Sequence, residues 1–188
     1  MRIIRTACLI AAVYSCGAVA ADRYTLDPLH TYPHFSVNHL GFSTTTGRFD
    51  KTSGSIVIDT EANTGSIDVT VDTASLSTAH QKRDEHLRSP DFFNTAQFPT
   101  MTFKADSLQI ANGAVTSATG TLTLLGVSKP VTLTVNSFRC GIHPLNKKAM
   151  CGGDVSTKIK RSDFGMTKYI PVLGDEVTIA IQVEATKD

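Results

Sequence analysis

The 188-residue sequence contains no tryptophan, few cysteines and no excess of charge of either sign, with 18 basic and 17 acidic residues. Nucleic-acid binding depends on clustered lysine and arginine, so this balance speaks against a nucleic-acid partner. The sequence also contains no GxSxG nucleophile motif, no GxGxxG fingerprint and no phosphate-binding loop. These absences exclude the enzyme classes that such motifs identify.

The first residues have the composition of a secretory signal peptide. Arg2 and Arg5 give a positive start, Cys8–Val13 is apolar, and Ala18–Ala20 supplies small residues at a cleavage position. The apolar run is too short to span a bilayer as a permanent anchor. We therefore predict that residues 1–20 form a signal peptide that is removed after export.

Two alternatives remain open for this segment. Cleavage after Ala21 fits the same pattern, and Cys16 could be a lipid-attachment site because Val13–Ser15 loosely resembles a lipobox. The bulky Tyr14 fits a lipobox poorly. In each case residues 21–188 have the length of a single domain, which we predict to be periplasmic or secreted.

Removal of the signal peptide leaves Cys140 and Cys151 as the remaining cysteines, and 16 basic against 17 acidic residues. An exported protein meets an oxidising compartment, in which cysteine pairs form disulfides. We predict a disulfide that closes the short loop Gly141–Met150. The alternative is a metal or redox pair, which this spacing, unlike CxxC, does not favour.

Apolar and polar residues alternate along most of the chain, which is typical of half-buried β-strands. Ser55–Asp59 and Ser66–Asp72 flank the turn signal Ala62–Gly65 and are predicted to form a hairpin. Further strands are predicted at Thr100–Ala105, Ala118–Leu125, Val131–Phe138, Val155–Lys160 and Glu176–Glu184. Turns are predicted at Ala111–Gly113, Gly126–Pro130, Cys151–Asp154 and Leu173–Asp175. The pattern indicates an all-β sandwich or closed barrel, and a barrel of about eight strands can hold one small ligand.

One charged segment, Thr78–Phe93, interrupts the alternation. Its helix-forming residues predict a short helix across Lys82–Ser89, between two sets of strands. Asp84, Glu85 and His86 within it could suggest acid–base chemistry. A solvated helix face with local ion pairs is the simpler explanation.

Three histidines, His30, His34 and His39, lie close together near the start of the predicted mature chain. His34 and His39 are five residues apart in a strand-like stretch, so they point to opposite faces. No other group of histidines and carboxylates has metal-ligand spacing. We predict no metal site; a structural histidine or a polar anchor at a cavity mouth is the expected role.

The nine phenylalanines are the main aromatic residues of the chain. They either fill an ordinary barrel core or line an elongated cavity, and pattern alone leaves both readings open. Ligand sites are mostly apolar with a few polar groups that fix orientation. A cavity for a prenyl or acyl chain is the extreme case, because each buried CH₂ contributes about 0.8 kcal/mol.

Several motifs, in order along the chain, together resemble the YceI family. They are His34–Phe42 with Gly47–Phe49, Arg83–Phe93 with Phe98–Phe103, Gly120–Val127 with Pro130–Val131, Lys160–Met166, and Gly174–Val177. Each motif is modest alone, but the similarity runs from about Tyr24 to Glu184.

The resemblance implies an extended antiparallel, lipocalin-like β-barrel of about eight strands with one short helix. It also implies a bacterial periplasmic or secreted protein that binds long-chain amphiphiles, chiefly polyisoprenoids of quinone type and in some members fatty amides. Such a lipid would be a ligand and not a cofactor. The resemblance carries over no catalytic residue.

The resemblance places ligand-lining roles on apolar motif positions. These positions are Phe35, Val37, Phe42, Phe49, Phe92, Phe93, Phe103, Leu124 and Phe164. Asn38, His39 and Asp163 are candidate polar contacts. Because side chains alternate across a strand, some of these positions are expected to face outward.

The predicted function is that of a non-enzymatic binding protein for a long-chain isoprenoid or fatty amphiphile, without stable membrane insertion and compatible with a homodimer. One alternative is an enzyme acting on such a lipid with His39 or His86 as base. Another is a stress-related scaffold protein, because fold alone does not settle function.

Overall fold

A computed structural model describes residues 21–188. The predicted signal peptide, its cleavage and the alternative at Cys16 therefore lie outside the described residues. Within residues 21–188 the chain forms eleven strands, one α-helix and two short 3₁₀ helices. The strands are β1 (Asp22–Leu26), β2 (Tyr32–His39), β3 (Ser43–Phe49), β4 (Thr52–Asp59), β5 (Thr64–Asp72), β6 (Leu76–Ser77), β7 (Thr100–Ala111), β8 (Ala114–Leu124), β9 (Val127–Ile142), β10 (Ala149–Lys160) and β11 (Leu173–Lys187). The helices are η1 (Thr73–Ser75), α1 (Gln81–Arg88) and η2 (Arg161–Phe164).

Eight strands close into an antiparallel ring in the order β1-β4-β5-β7-β8-β9-β10-β11, with β11 pairing back to β1. Closure requires β1 to pair on both sides, and Tyr24 does so, opposite Ile56 on β4 and Lys187 on β11. This confirms the predicted lipocalin-like barrel, and the sandwich alternative is wrong.

The remaining three strands extend the barrel beyond the ring. The first part of β11 pairs with β2, β2 pairs with β3, and β3 pairs with the short β6. Ile179 on β11 lies opposite Phe35, whereas Ala185 further along β11 lies opposite Leu26. One long strand therefore borders β2 at one end of the barrel and β1 at the other.

The disulfide between Cys140 and Cys151 is present, and its two cysteines lie opposite each other on β9 and β10. The prediction of a disulfide at this hairpin is confirmed. The predicted turn at Cys151–Asp154 is wrong, because these residues belong to β10. The error arises at Gly153, which the sequence pattern predicts as a turn residue. A Cβ at this position would stand 2.4 Å from the Ser137 carbonyl oxygen, so the glycine allows β9 and β10 to approach closely beside a bulge.

Two other predicted turns differ from the structure: one is shorter than predicted, and the other is part of a strand. The β8–β9 turn is the pair Leu125–Gly126, with φ of 52° and 75°, so the strand resumes at Val127. Positive φ at both positions is the two-residue hairpin geometry that matches strand twist. The predicted turn at Leu173–Asp175 is instead the start of β11.

Helix α1 begins and ends one residue earlier than predicted. Its start is capped by the His80 side chain, whose Nδ1 accepts from the Arg83 N–H at 3.2 Å. The expectation of a solvated face is wrong for Asp84, which is buried and accepts hydrogen bonds from the Thr78 N–H and Oγ–H. A buried carboxylate needs such partners, so this one ties the helix to the segment before it.

The largest buried cluster lies at the β1 end of the barrel. We call Ala105, Leu108, Val115 and Ala118 the packed wall; all four are buried, on neighbouring strands β7 and β8. Alternation along each strand directs these side chains inward, as the sequence pattern predicts. This wall is part of the buried core of the barrel.

Candidate functional site

The barrel interior contains a cavity of about 260 Å³ with an almost wholly apolar lining. At one end it is bordered by Leu108, Val115 and Ala118 of the packed wall, and at the other by Leu87 of α1, Phe93 and Arg161. Nearly every barrel strand contributes inward-facing residues to it. The cavity therefore extends along the barrel interior.

Several inward-facing side chains are only half-buried. We call Val131, Leu133, Ile179 and Ile181 the open wall; they lie on β9 and β11 and line the cavity. Protein interiors are close-packed, so inward aliphatic side chains are normally buried. These side chains are partly buried and line the cavity, and Val131 and Leu133 also pack against the cluster that contains the packed wall.

Most of the predicted apolar ligand positions line this cavity. They are Phe35, Val37, Phe49, Phe92, Phe93, Phe103 and Leu124. Phe42 does not, because it lies in the β2–β3 turn with 91% of its surface exposed. Phe164 is 2% exposed but lies outside the lining, so it packs within the protein.

Three of these phenylalanines form a ring cluster at the α1 end. The ring centres of Phe49 and Phe93 are 5.4 Å apart, and Phe35 lies 5.7 Å from Phe49 and 6.4 Å from Phe93. Such tilted and edge-on arrangements are the favourable ones for aromatic pairs. Gly47 makes room for this cluster, because a Cβ there would stand 2.4 Å from the Phe35 ring.

The three predicted polar contacts lie away from the cavity lining. Asn38 is exposed, and its Oδ1 accepts from the Gly41 N–H at 2.8 Å in the β2–β3 turn. His39 and Asp163 are also exposed and do not belong to the lining. The structure therefore brings together the apolar candidates without these polar ones.

Arg161 is a lining residue that the sequence analysis did not name. It is 3% exposed, and its guanidinium donates to the carbonyl oxygens of Gly174, Met166, Lys168 and Leu173 at 2.8–3.1 Å. Burial lowers the pKa of this side chain, and the charge of nearby Asp175 works against that shift. An arginine nevertheless stays protonated in a protein.

A sequence signal for Arg161 exists in hindsight. Val155, Thr157 and Ile159 line the cavity at every second position of β10, and Arg161 continues that series. Period-2 alternation therefore placed it on the inward face. Arg161 lies inside the motif Lys160–Met166, but it is not one of the apolar positions to which the resemblance assigns ligand contact.

Other polar groups of the lining differ in their hydrogen bonding. The Thr31 hydroxyl donates to the Glu184 carbonyl oxygen, and that of Thr157 donates to the Thr132 carbonyl oxygen. The Thr52 hydroxyl is buried and has no hydrogen-bond partner among the described residues. A buried, unpaired hydroxyl destabilises the folded state.

A histidine–carboxylate group lies outside the cavity, at the β1 end. The His30 Nδ1 is 2.8 Å from Asp27 Oδ2 and 4.0 Å from Glu184 Oε2. The hydrogen bond between His30 and Asp27 raises the pKa of His30 and lowers the pKa of Asp27. These ligand atoms lie within 4.8 Å of one another, as metal ligands would. An exposed hydrogen-bonded ion pair accounts for the same geometry, and the absence of a metal site stays a prediction.

The histidines considered as bases lie outside the cavity lining. His86 is on α1, 3.4 Å from Asp91, and its ring packs edge-on against Phe92 with centres 5.1 Å apart. His39 is exposed at the end of β2. Neither residue contributes to the surface of the interior cavity.

Within residues 21–188, no helix has the length and apolar composition needed to cross a membrane.

Fold and cavity together define a class: closed antiparallel barrels built around an apolar interior space. The YceI-like domain model matches residues 24–185, and the chain belongs to this family. It is 36% identical over 179 residues to Protein YceI of Escherichia coli O157:H7, covering 93% of this chain and 92% of that protein.

Solved structures share the architecture. BcnA of Burkholderia cenocepacia matches with a TM-score of 0.73 and 25% identity, covering 86% of this chain and 99% of that chain. A domain of Saccharophagus degradans described as polyisoprenoid-binding matches with a TM-score of 0.65, over 88% of this chain and 98% of that chain. Its identity is 20%, so this likeness shows the fold alone.

Proposed function

We propose that this protein binds a long-chain isoprenoid or related amphiphilic lipid inside its barrel and carries it through the periplasm. The observation that supports the proposal is the apolar cavity inside the barrel with its half-buried open wall. An apolar chain in that space would cover side chains that otherwise face a void. Burial contributes about 0.8 kcal/mol per CH₂, so tail length supplies much of the affinity.

Family membership supports the same proposal. The YceI-like domain covers residues 24–185, and a protein described as polyisoprenoid-binding has the same fold. Binding without catalysis agrees with the position of His39 and His86 outside the lining. The predicted signal peptide and the Cys140–Cys151 disulfide support an exported carrier.

Native mass spectrometry of the protein purified from the periplasm of its own host tests the proposal, followed by organic extraction. We expect an apolar adduct of several hundred daltons that extraction releases unchanged. The same spectrum tests the possible homodimer. A ligand-free mass with no uptake of added isoprenoid quinones or fatty amides would overturn the carrier function. Release of a chemically altered lipid would favour the enzyme alternative.

A cavity-filling pair of variants makes the test specific for the interior. Leu133→Trp places a large side chain into the cavity, whereas Thr134→Trp places the same side chain on the outer face of β9. We expect the first variant to fold and to lose lipid binding, and the second to keep it. Equal binding by both variants would show that lipid does not occupy the barrel.

A further inference from the structure

The turn between β9 and β10 carries apolar side chains on the protein surface. We call residues 139–149 the basic tip. Within it, Ile142 is 66% exposed and Leu145 is 85% exposed. Single exposed apolar residues are ordinary, but a group of them rimmed by polar residues marks an interaction site. The charges around these two side chains indicate what kind of partner the site fits.

The cations of the basic tip have no anionic partner. Arg139, Lys147 and Lys148 are exposed and form no ion pair within 4.0 Å among the described residues. The Lys147 Nζ donates to the Pro144 carbonyl oxygen at 2.7 Å, and that oxygen is neutral. The sequence from residue 139 to residue 149 contains no aspartate or glutamate. The basic tip is therefore a positively charged surface on a chain that is nearly neutral as a whole.

The carboxylates of this end of the barrel lie outside the basic tip and contact other groups. Asp154 on β10 accepts from the Ser137 hydroxyl at 2.9 Å. Asp27 and Glu184 lie beside His30, at 2.8 Å and 4.0 Å from its Nδ1. The positive charge of the tip is thus left for a partner outside the chain.

The conformation of the basic tip is fixed before any partner arrives. The disulfide joins Cys140 to Cys151 across β9 and β10. Beyond it, the His143 N–H donates to the Lys148 carbonyl oxygen at 2.8 Å, and the Lys147 N–H donates to the His143 carbonyl oxygen at 3.0 Å. Binding through a preordered turn loses less conformational entropy than binding through a flexible one.

A surface groove at the base of the basic tip adjoins the interior cavity. Arg139 and Ile142 line this groove. Groove and cavity share four lining residues, which are Phe138, Gly152, Gly153 and Val183. The basic tip therefore lies beside a part of the surface that is continuous with the cavity lining.

A second group of exposed apolar residues, near the start of β11, lacks this charge. Phe42 is 91% exposed and Tyr169 is 52% exposed. Lys168, the residue before Tyr169, lies 3.2 Å from Asp91, so its charge is paired. The turn Leu40–Phe42 contains no lysine or arginine. Apolar exposure is common to both groups, and unpaired positive charge distinguishes the basic tip.

We propose that the basic tip docks on the surface of an anionic lipid bilayer. Leu145 and Ile142 enter the head-group region, as apolar side chains of peripheral proteins do. Arg139, Lys147 and Lys148 contact lipid phosphates, and each cation near such a surface strengthens binding. Docking brings the groove beside the cavity to the membrane, a consequence that rests on the proposed function.

A bilayer fits the basic tip better than a second protein does. A stable protein–protein interface uses roughly 20–30 residues on each side, whereas the tip is one turn. A bilayer needs no matched surface, because its head groups rearrange around a few inserted side chains.

The charge of the tip is tested by sedimentation of the purified, lipid-free protein with two kinds of vesicle. One kind is phosphatidylcholine, and the other is an equal mixture of phosphatidylcholine and phosphatidylglycerol. We expect the parent protein to prefer the mixture, and salt to weaken this preference. The double variant Lys147→Gln with Lys148→Gln should bind the mixture about thirtyfold more weakly.

The matched control removes the same net charge elsewhere. Lys129 and Lys160 are exposed and lie at the other ends of β9 and β10. The double variant Lys129→Gln with Lys160→Gln should bind the mixture as the parent does. Equal losses in the two double variants would assign binding to net charge and overturn the proposal, as would equal binding of the parent to both vesicles.

The apolar contact is tested by Leu145→Ser, which should weaken binding to the mixture about tenfold. Phe42→Ser is its control, because Phe42 is at least as exposed but lies on the turn without cations. A loss with Phe42→Ser and not with Leu145→Ser would place the docking surface elsewhere and overturn the proposal. Leu145→Ser that turns a dimer into a monomer without affecting vesicle binding would make the tip an interface between copies, which also overturns it.

The outcomes separate docking from the proposed function. Lipid uptake into the barrel without vesicle binding would overturn docking and leave the carrier function in place. Vesicle binding without lipid uptake would support docking and overturn the carrier function.

Discussion

The packed wall and the open wall are built from the same kind of residue but differ in burial. Leu108 is 3% exposed, whereas Leu133, which also points into the barrel, is half-buried. Inward direction follows from strand alternation, but burial follows from what lies opposite the side chain. The comparison teaches that one barrel can contain a solid part and a hollow part without any change in sequence pattern.

The difference has an energetic consequence. Side chains of the packed wall stabilise the fold in the absence of any ligand. Side chains of the open wall leave apolar surface uncovered. A ligand that covers this surface gains about 25 cal/mol of binding free energy for each Å² removed from water. The two walls therefore differ in how much apolar surface they leave for a ligand, although strands of both walls line the same cavity.

The largest expected effect comes from shortening one side chain in each wall. Leu108→Ala should lower the free energy of unfolding of the lipid-free protein by about 3 kcal/mol, because it removes buried contacts and leaves a void. Leu133→Ala should lower it by about 1 kcal/mol or less, because its side chain already borders a void. Urea denaturation followed by circular dichroism measures both. Equal losses would show that the two walls are packed alike.

The disulfide gives the next largest effect. Cys151 is buried in the cluster that contains the packed wall, and Cys140 lies opposite it on β9. Replacing both cysteines by serine should lower the free energy of unfolding by about 2–3 kcal/mol, since the loop between them is short. The control is reductant, which should destabilise the parent protein and leave the double variant unchanged. A stable, reductant-insensitive parent would contradict a structural role.

Two buried threonine hydroxyls sharpen the comparison on a smaller scale. Thr52 borders the cavity without a hydrogen-bond partner, whereas the Thr73 hydroxyl donates to the Phe98 carbonyl oxygen at 2.7 Å. Thr52→Val should raise the free energy of unfolding by about 1 kcal/mol, and Thr73→Val should lower it by about 1 kcal/mol. Thermal denaturation of the two variants shows whether each substitution raises or lowers the free energy of unfolding. A loss in Thr52→Val would mean that its hydroxyl has a partner in solution.

The smallest expected effect concerns His30 and Asp27 at the β1 end. The raised pKa of His30 gives stability that is present below its ordinary pKa and is lost as the pH rises through the raised value. The lowered pKa of Asp27 gives stability that is present above its ordinary pKa and is lost as the pH falls through the lowered value. The pair therefore contributes most between about pH 4 and about pH 6.5.

NMR titration of the His30 ring tests this pair. Asp27→Asn should lower the pKa of His30, because the hydrogen bond to Asp27 is the main cause of its rise. Glu184→Gln should have a smaller effect, since its carboxylate is 4.0 Å away. A larger change from Glu184→Gln would contradict the geometry of the pair.

Alternation and turn residues act locally, so the sequence pattern was sufficient to predict an all-β fold, the helix to within one residue and the disulfide. The pattern left a sandwich or a barrel open, and the resemblance to the YceI family selected the barrel. It failed at Cys151–Asp154, where the glycines serve a close approach between strands that only the folded sheet creates. A glycine has two uses, turn and close contact, and local sequence does not separate them.

The apolar residues of the site could be predicted from the sequence, whereas its polar residues could not. Phenylalanines at strand positions line the cavity because the inward face must be apolar. Asn38 and Asp163 are polar residues within the motifs, yet the structure leaves them exposed. Arg161 lines the cavity because carbonyl groups from a later segment, including that of Gly174, accept its hydrogen bonds. Those partners depend on tertiary structure, which a local pattern does not contain.

Strand β11 also determines when the interior space comes into existence. It pairs with β10 along much of its length, with β2 near its start and with β1 near its end, and the last of these joins Tyr24 to Lys187. Pairing such distant segments requires closing a long loop, which is slow in folding. A chain that is still emerging can form the meander from β4 to β10, but the ring around the cavity closes only when β11 arrives. The interior space is thus the last part of the barrel to form, because β11 completes the ring around it.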